Sequence, residues 1–236
     1  MTTKVSEKIT NNLAEIRQQL QILAEESSHG QSVQLLAVSK KHPLEAINAA
    51  IAAGQMHFGE NYVQEAVDKI NQLKGQITEP VQWHFIGPVQ SNKTKDIAQY
   101  FDWVQSVERE KVARRLNEQR PGNLDQLNVL LQVNIDDDDN KSGLAPEQVD
   151  ALAGYVMSCP KLKLRGLMTI LKAGTTKEQR AHSFQHMFRL YERLQQTYGE
   201  QIDTLSMGMS ADMRQAVLEG ANMVRIGTAI FGERES

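Results

Sequence analysis

Apolar positions along the chain fall into two periods. Val5, Ile9, Leu13, Ile16, Leu20 and Leu23 recur at spacings of three and four, with Glu, Gln and Lys between them. That stripe predicts an amphipathic helix within residues 1–30. From Val33 onward, short apolar runs alternate with helical segments. The runs are VQLLAVSK ending at Lys40, MHFGEN at Asn61, VQWHFIG at Gly87, FDWVQSVE at Glu108, LNVLLQVNI at Ile135, LKLRGLMTI at Ile170, DTLSMGMS at Ser210 and NMVRIGTAIFG at Gly232. Between them PLEAINAAIAAG, YVQEAVDKINQL, PEQVDALAGYVM, KEQRAHSFQHMFRLYERLQQTY and ADMRQAVLEG suit helices. Pro43 and Pro146 stand near helix starts, where a missing N–H costs little. Gly54 and Gly220 stand where helix C-terminal glycines belong.

Strict alternation of strand and helix is the pattern of a parallel sheet covered by helices. Eight such units in 236 residues predict an α/β fold with one domain over 1–236. It is a single (β/α)8 TIM barrel over 33–232 with an extra N-terminal helix. An open doubly wound sheet is the alternative, but the first strand lacks the G-x-G-x-x-G turn of dinucleotide folds.

Composition narrows the function classes. A net charge of −3 gives no basic field for nucleic acid. No apolar stretch approaches the roughly 20 residues of a membrane span. The start, MTTKVSEKIT, lacks the apolar core of a secretory signal. The lone Cys159 excludes an internal disulfide and a cysteine-based zinc site. A cytoplasmic protein with neither nucleic-acid nor membrane partners is expected.

In such barrels the chemistry sits at the C-terminal strand ends. Here those ends carry Ser39 and Lys40, Glu60 and Asn61, His84 with Gly87, Gln105, Asn134, Met168, Ser210, and Arg225, Gly227 and Thr228, a mixed polar set fed by apolar strand bodies. Phosphate sites in these folds are frequently built after strands seven and eight. Ser210 is placed to N-cap the following helix, whose free N–H groups and dipole favour an anion. Gly227 lets the backbone approach closely, and Thr228 adds an N–H and a hydroxyl. A phosphate pocket facing a strand-end lysine suggests an aldehyde-bearing phosphate ester, pyridoxal 5′-phosphate (PLP), held as a Schiff base. The plain readings stand beside this one: a lysine snorkelling to water, a serine that only caps, an arginine paired with a carboxylate. A cofactor-free lysine aldolase is a third class. Alternation puts Lys40 in phase with Leu36 and Val38, but both faces of a barrel strand are buried, so phase alone does not choose between Lys40 and Lys41.

Together LLAVSK, FGENYVQEAVDK, WHFIGPVQSNK, NKSG, RGLMTI, DTLSMGMSADM and MVRIGTAIFG resemble, in order, the YggS/PROSC family of PLP-binding proteins. The resemblance runs from about Leu35 to Gly232. It implies a barrel of the alanine racemase N-terminal-domain type, PLP bound covalently to Lys40, and a role in vitamin B6 homeostasis. By the same resemblance Ser210, Gly227 and Thr228 line the phosphate, Arg225 faces the pyridine nitrogen, and Asn61, His84 and Met168 border the cofactor. An arginine at the ring nitrogen cannot accept its proton, which weakens the electron sink. Racemase-type relatives add a second β-domain, whereas only Glu233, Arg234, Glu235 and Ser236 follow Gly232 here. A monomeric, non-enzymatic cofactor holder that buffers PLP or delivers it to apo PLP-dependent enzymes is therefore expected. A slow PLP-dependent racemase or decarboxylase is the alternative.

Two further signals carry less. Asp136 to Glu147 imitates a calcium loop but has Lys141 where that loop needs glycine. His182 and His186 share a helix face without the glutamate of a zinc motif, among packing residues.

Overall fold

The computed structural model describes residues 2–78, 80–138 and 140–233; Asp139 of the acidic loop and Arg234, Glu235 and Ser236 lie outside them. Eight parallel strands close in chain order into one barrel. They are β1 (Gln34–Val38), β2 (His57–Glu60), β3 (Gln82–Phe85), β4 (Trp103–Val107), β5 (Leu127–Gln132), β6 (Leu162–Met168), β7 (Thr204–Met209) and β8 (Met223–Ile226). The helices are α1 (Thr2–Glu26), α2 (Leu44–Ala52), α3 (Val63–Leu73), α4 (Thr94–Tyr100), α5 (Glu110–Gln119), α6 (Val149–Met157), α7 (Lys177–Tyr198), α8 (Met213–Leu218) and α9 (Thr228–Phe231).

Side-chain alternation separates two environments. Leu35 and Ala37 of β1, Trp83 and Phe85 of β3, Leu205 and Met207 of β7, and Val224 and Ile226 of β8 face outward into one apolar shell beneath the helices. Each fully buried Leu or Phe of such a shell contributes about 1.5–3 kcal/mol relative to exposure. The inward positions hold a much smaller apolar cluster, Trp103, Leu130 and Met168 with Ile170 against it. The interior also holds buried polar side chains, His84, Gln105, Ser206 and Arg225.

Local chemistry sets the helix limits. Thr176 opens α7 with a capping box: its Oγ1 accepts the Gln179 N–H at 3.2 Å, and the Gln179 Oε1 accepts the Thr176 N–H at 2.8 Å. Pro43 immediately precedes α2, and Pro146 begins a 3-10 turn that leads into α6. Gly54 and Gly220 follow α2 and α8 with φ of 79° and 96°. At Gly220 a Cβ would stand 2.3 Å from the Phe188 ring, so only glycine fits.

Helix α1 lies across the junction of the first and last barrel units, packed on α2, α8 and α9. Ile9, Leu13, Ile16, Leu20 and Leu23 are buried there, and Asn12 donates to the Ile230 carbonyl at 2.8 Å. Val5, the first member of the expected stripe, is exposed instead. The last apolar run also divides: β8 stops at Ile226, and residues 228–231 form α9. An apolar run that short does not distinguish strand from helix, and tertiary packing of Ile230 against α1 decides it. Among the described residues, no helix is long and apolar enough to cross a membrane.

Candidate functional site at the C-terminal mouth

Closure of the barrel brings the two ends of the sequence together. Leu36 pairs in register with Arg225 and Ala37 with Ile226, so the turn after β1 rises beside the turn after β8. On the other side Val38 pairs with Gly59, which sets Lys40 near the end of β2. Lys40 is half-buried, whereas Lys41 is exposed with φ at 60°, a conformation uncommon outside glycine. Leu35 and Ala37 face the helices, and Leu36 and Val38 face the barrel interior. Lys40 and Lys41 both lie in the turn beyond β1, Lys40 the more buried of the two.

A buried polar knot fixes this turn. Ser39 is fully buried; its N–H donates to the Gly59 carbonyl at 3.0 Å and its hydroxyl to the Glu60 Oε1 at 2.6 Å. Lys69 on α3 donates to the Ser39 carbonyl at 2.8 Å, to Glu60 Oε1 at 2.8 Å and to Glu65 Oε1 at 2.6 Å. Three donors meet three acceptors, the condition under which a buried ammonium is tolerated. Glu65 also accepts the Lys41 N–H at 2.5 Å. Burial pushes the Glu60 carboxyl up, against the opposing pull of Lys69. Glu60 was expected at a strand end but without a partner, and Glu65 was not singled out, although the Glu65–Lys69 spacing of four on a helix is a legible pair.

Arg225 is the second centre. It is 4% exposed, and its Nη1 donates to Ser206 Oγ and its Nη2 to the Thr169 carbonyl, both at 2.7 Å. Among the described residues no carboxylate stands within ion-pair distance of it. Burial pulls its pKa down to about 10, so the guanidinium remains charged at neutral pH; the charge of Asp212 acts in the opposite sense. The plain reading of an arginine paired with a carboxylate thus fails here. A buried cation held only by neutral acceptors is costly and suits an anionic or electron-rich partner.

The other expected residues divide. Met209 pairs with Arg225, so Ser210 follows beside Ile226 and Gly227 at the mouth. Ser210 does not cap α8, however. Asp212 holds that position, turning its carboxylate back to accept the Met209 N–H at 2.7 Å, and Ser210 lies in an exposed turn. The acid three residues after Met209 closes the turn before the helix can begin at Ser210. Gly227 packs against β1, where a Cβ would come 3.2 Å from the Val38 carbonyl, and Thr228 starts α9, whose Ile230 and Phe231 N–H groups donate to the Gly227 carbonyl at 2.9 and 3.0 Å.

Asn61 follows β2, and its Oδ1 is buried without a hydrogen-bond partner. It lines a cavity of about 470 Å³ with Tyr62, Phe85, Pro88 and Lys93. Gly87 admits this arrangement, because a Cβ there would stand 2.3 Å from the Asn61 carbonyl. His84 lies deeper: both ring nitrogens meet protein partners, His57 and Gln105, each at 3.0 Å. Met168 is fully buried in the small interior cluster.

The family model for the alanine racemase N-terminal domain matches residues 11–235 of this chain. A pyridoxal phosphate homeostasis protein of Haemophilus influenzae is 50% identical, with 96% of each chain covered. One of Escherichia coli is 46% identical, covering 96% of this chain and 97% of that one. PipY of Synechococcus elongatus has been solved without PLP and with PLP bound. The former is 38% identical with a TM-score of 0.85, the latter 36% with 0.82; each match covers 95% of this chain and all of PipY. Alanine racemase from Corynebacterium glutamicum, at 15% identity and a TM-score of 0.69, shares the fold over 97% of this chain and 62% of its own length.

Proposed function

The chain belongs to the family of the alanine racemase N-terminal domain, and on that premise we propose that it binds PLP and acts in PLP homeostasis. Its relatives named for pyridoxal phosphate homeostasis and the PLP-bound PipY support this reading. The observation that carries it in this chain is Arg225, a buried guanidinium with only neutral partners, set on the strand next to the one that delivers Lys40.

In the proposed complex Lys40 would hold the cofactor covalently through its amine. Ser210, Gly227 and Thr228 would take the phosphate, Arg225 the pyridine nitrogen, and Asn61 the rim. His84 and Met168 would act from below, through the residues between them and the mouth. Bound PLP supplies an electron sink. Arg225 does not protonate the ring nitrogen, because its own proton stays put at neutral pH; this weakens the electron sink and by itself does not decide between holding and turnover. The Ser39–Glu60–Lys69 knot keeps the Lys40 turn in place whether or not the aldehyde is attached. Sequestering a reactive aldehyde and releasing it to apo PLP-dependent enzymes is the role we assign.

Borohydride reduction of the coloured protein followed by peptide mapping tests the linkage. A tag on Lys40 is expected; a tag on another lysine overturns the assignment. Incubation with single-enantiomer amino acids tests the role. Turnover well above that of free PLP, abolished by Lys40→Ala, would replace the carrier with a slow racemase or decarboxylase.

A further inference from the structure

Behind Arg225 the polar interior forms a connected line. Ser206 Oγ, which accepts from Arg225, donates to Gln105 Oε1 at 2.7 Å. Gln105 Nε2 lies 3.0 Å from His84 Nδ1, and His84 Nε2 lies 3.0 Å from His57 Nδ1. Ser206, Gln105 and His84 are each 0% exposed, so water does not compete for these bonds.

The direction of each bond follows from its donors and acceptors. A guanidinium only donates, so the Ser206 oxygen accepts from Arg225, while its own hydrogen points to the Gln105 oxygen. The Gln105 oxygen takes that hydrogen, which leaves the amide NH2 facing His84. His84 Nδ1 must then be bare and its proton must sit on Nε2. That proton points at His57 Nδ1, which must be bare in turn. Gln105 Nε2 also approaches Met223 Sδ at 3.1 Å, a weak acceptor that agrees with a donor at this end of the amide. His84 stacks on Trp103 with the rings 12° apart, and Arg165 lies over the same Trp103 ring. A cation there also disfavours an imidazolium at His84.

We infer that Ser206, Gln105, His84 and His57 are positioning residues for Arg225, a one-way hydrogen-bond chain across β8, β7, β4, β3 and β2 that aims the guanidinium at the mouth and holds both imidazoles neutral with the proton on Nε2. His57 ends the chain at the opposite face of the barrel, where it lines a cavity of about 400 Å³ with Gln34, Arg165 and Asp203. A donor-only group at one end of the barrel thereby dictates the tautomer of a histidine at the other. The consequence for the cofactor rests on the proposed PLP site; the tautomers do not.

Long-range 1H–15N correlation of the imidazole rings in the PLP-free protein at neutral pH reads the chain directly. His57 and His84 are expected as neutral Nε2–H forms; an Nδ1–H form or an imidazolium at either overturns the inference. Gln105→Glu supplies an acceptor to both neighbours, so His84 is expected to gain a proton on Nδ1; a bare Nδ1 in that variant overturns it too. If Gln105→Glu does not fold, Ser206→Ala serves, since it frees the amide to turn, and a second His84 tautomer is expected to appear. With PLP loaded, Ser206→Ala should shift the pH titration of the visible band and release PLP roughly tenfold faster, the effect of losing one hydrogen bond to a charged group. An unchanged band and release rate overturn the positioning role. A wild-type protein that forms no visible band with PLP overturns the functional reading instead, and the ring protons still decide the chain.

Discussion

The outward and inward faces of the same strands are built on opposite principles. The outward face buries Phe58, Phe85, Leu127 and Val224 in an apolar shell that any closely packed barrel needs. The inward face buries Ser206, Gln105, His84 and Arg225, whose burial costs free energy unless each bond is made. Stability therefore belongs mainly to one face and ligand chemistry to the other, within strands only a few residues long. The Ser39–Glu60–Lys69 knot is where the inward principle reaches the mouth.

Four experiments would break or sharpen this division. Phe58→Ala in the shell should destabilise the protein by about 3–5 kcal/mol in urea denaturation. A loss below about 1 kcal/mol would show that the shell is not the main source of stability. The inward histidines come next. Burial, then the charges of His57 and Arg165, hold His84 well below its usual 6.5, and burial lowers His57 as well. In the unfolded chain both take up protons near 6.5, while in the folded state they resist. Stability is therefore fully present above that value and falls as the pH drops below it. The loss is up to about 1.4 kcal/mol per pH unit for each histidine. Urea midpoints that do not move through this range would mean the histidines are solvated.

Arg225→Met should cost less than about 2 kcal/mol of stability, because ending the desolvation of a buried cation offsets two lost hydrogen bonds. Its PLP affinity should nevertheless drop about tenfold or more, measured by equilibrium dialysis. A large loss of stability with unchanged affinity would invert the comparison. Lys41→Ala, on an exposed side chain one residue from Lys40, should alter stability by no more than about 0.5 kcal/mol and leave the visible band intact.

The shell was legible in the sequence because it depends on apolar alternation alone: eight runs gave eight strands, and Pro43, Gly54 and Gly220 marked helix ends through local chemistry. Lys40, Arg225 and Gly227 were legible as strand-tip residues once the barrel was assumed. The inward chain was not, since His57, His84, Gln105 and Ser206 belong to different strands and become partners only through the register. Leu35 and Leu36 illustrate the difficulty: both are apolar and both are buried, yet they face different environments. Ser210 failed as a cap for a local reason, the competing carboxylate of Asp212.

Pairing of β1 with β8 has a consequence for how the protein comes into being. Lys40 emerges early in synthesis and Arg225 near the end, and their strands meet only when the barrel closes. Contacts so distant in sequence form slowly, after the local strand–helix units. A partly made chain therefore carries the lysine without the cation that completes its surroundings. On the proposed assignment of Lys40 and Arg225, competence to hold the cofactor is acquired in one step, with the seating of β8 against β1.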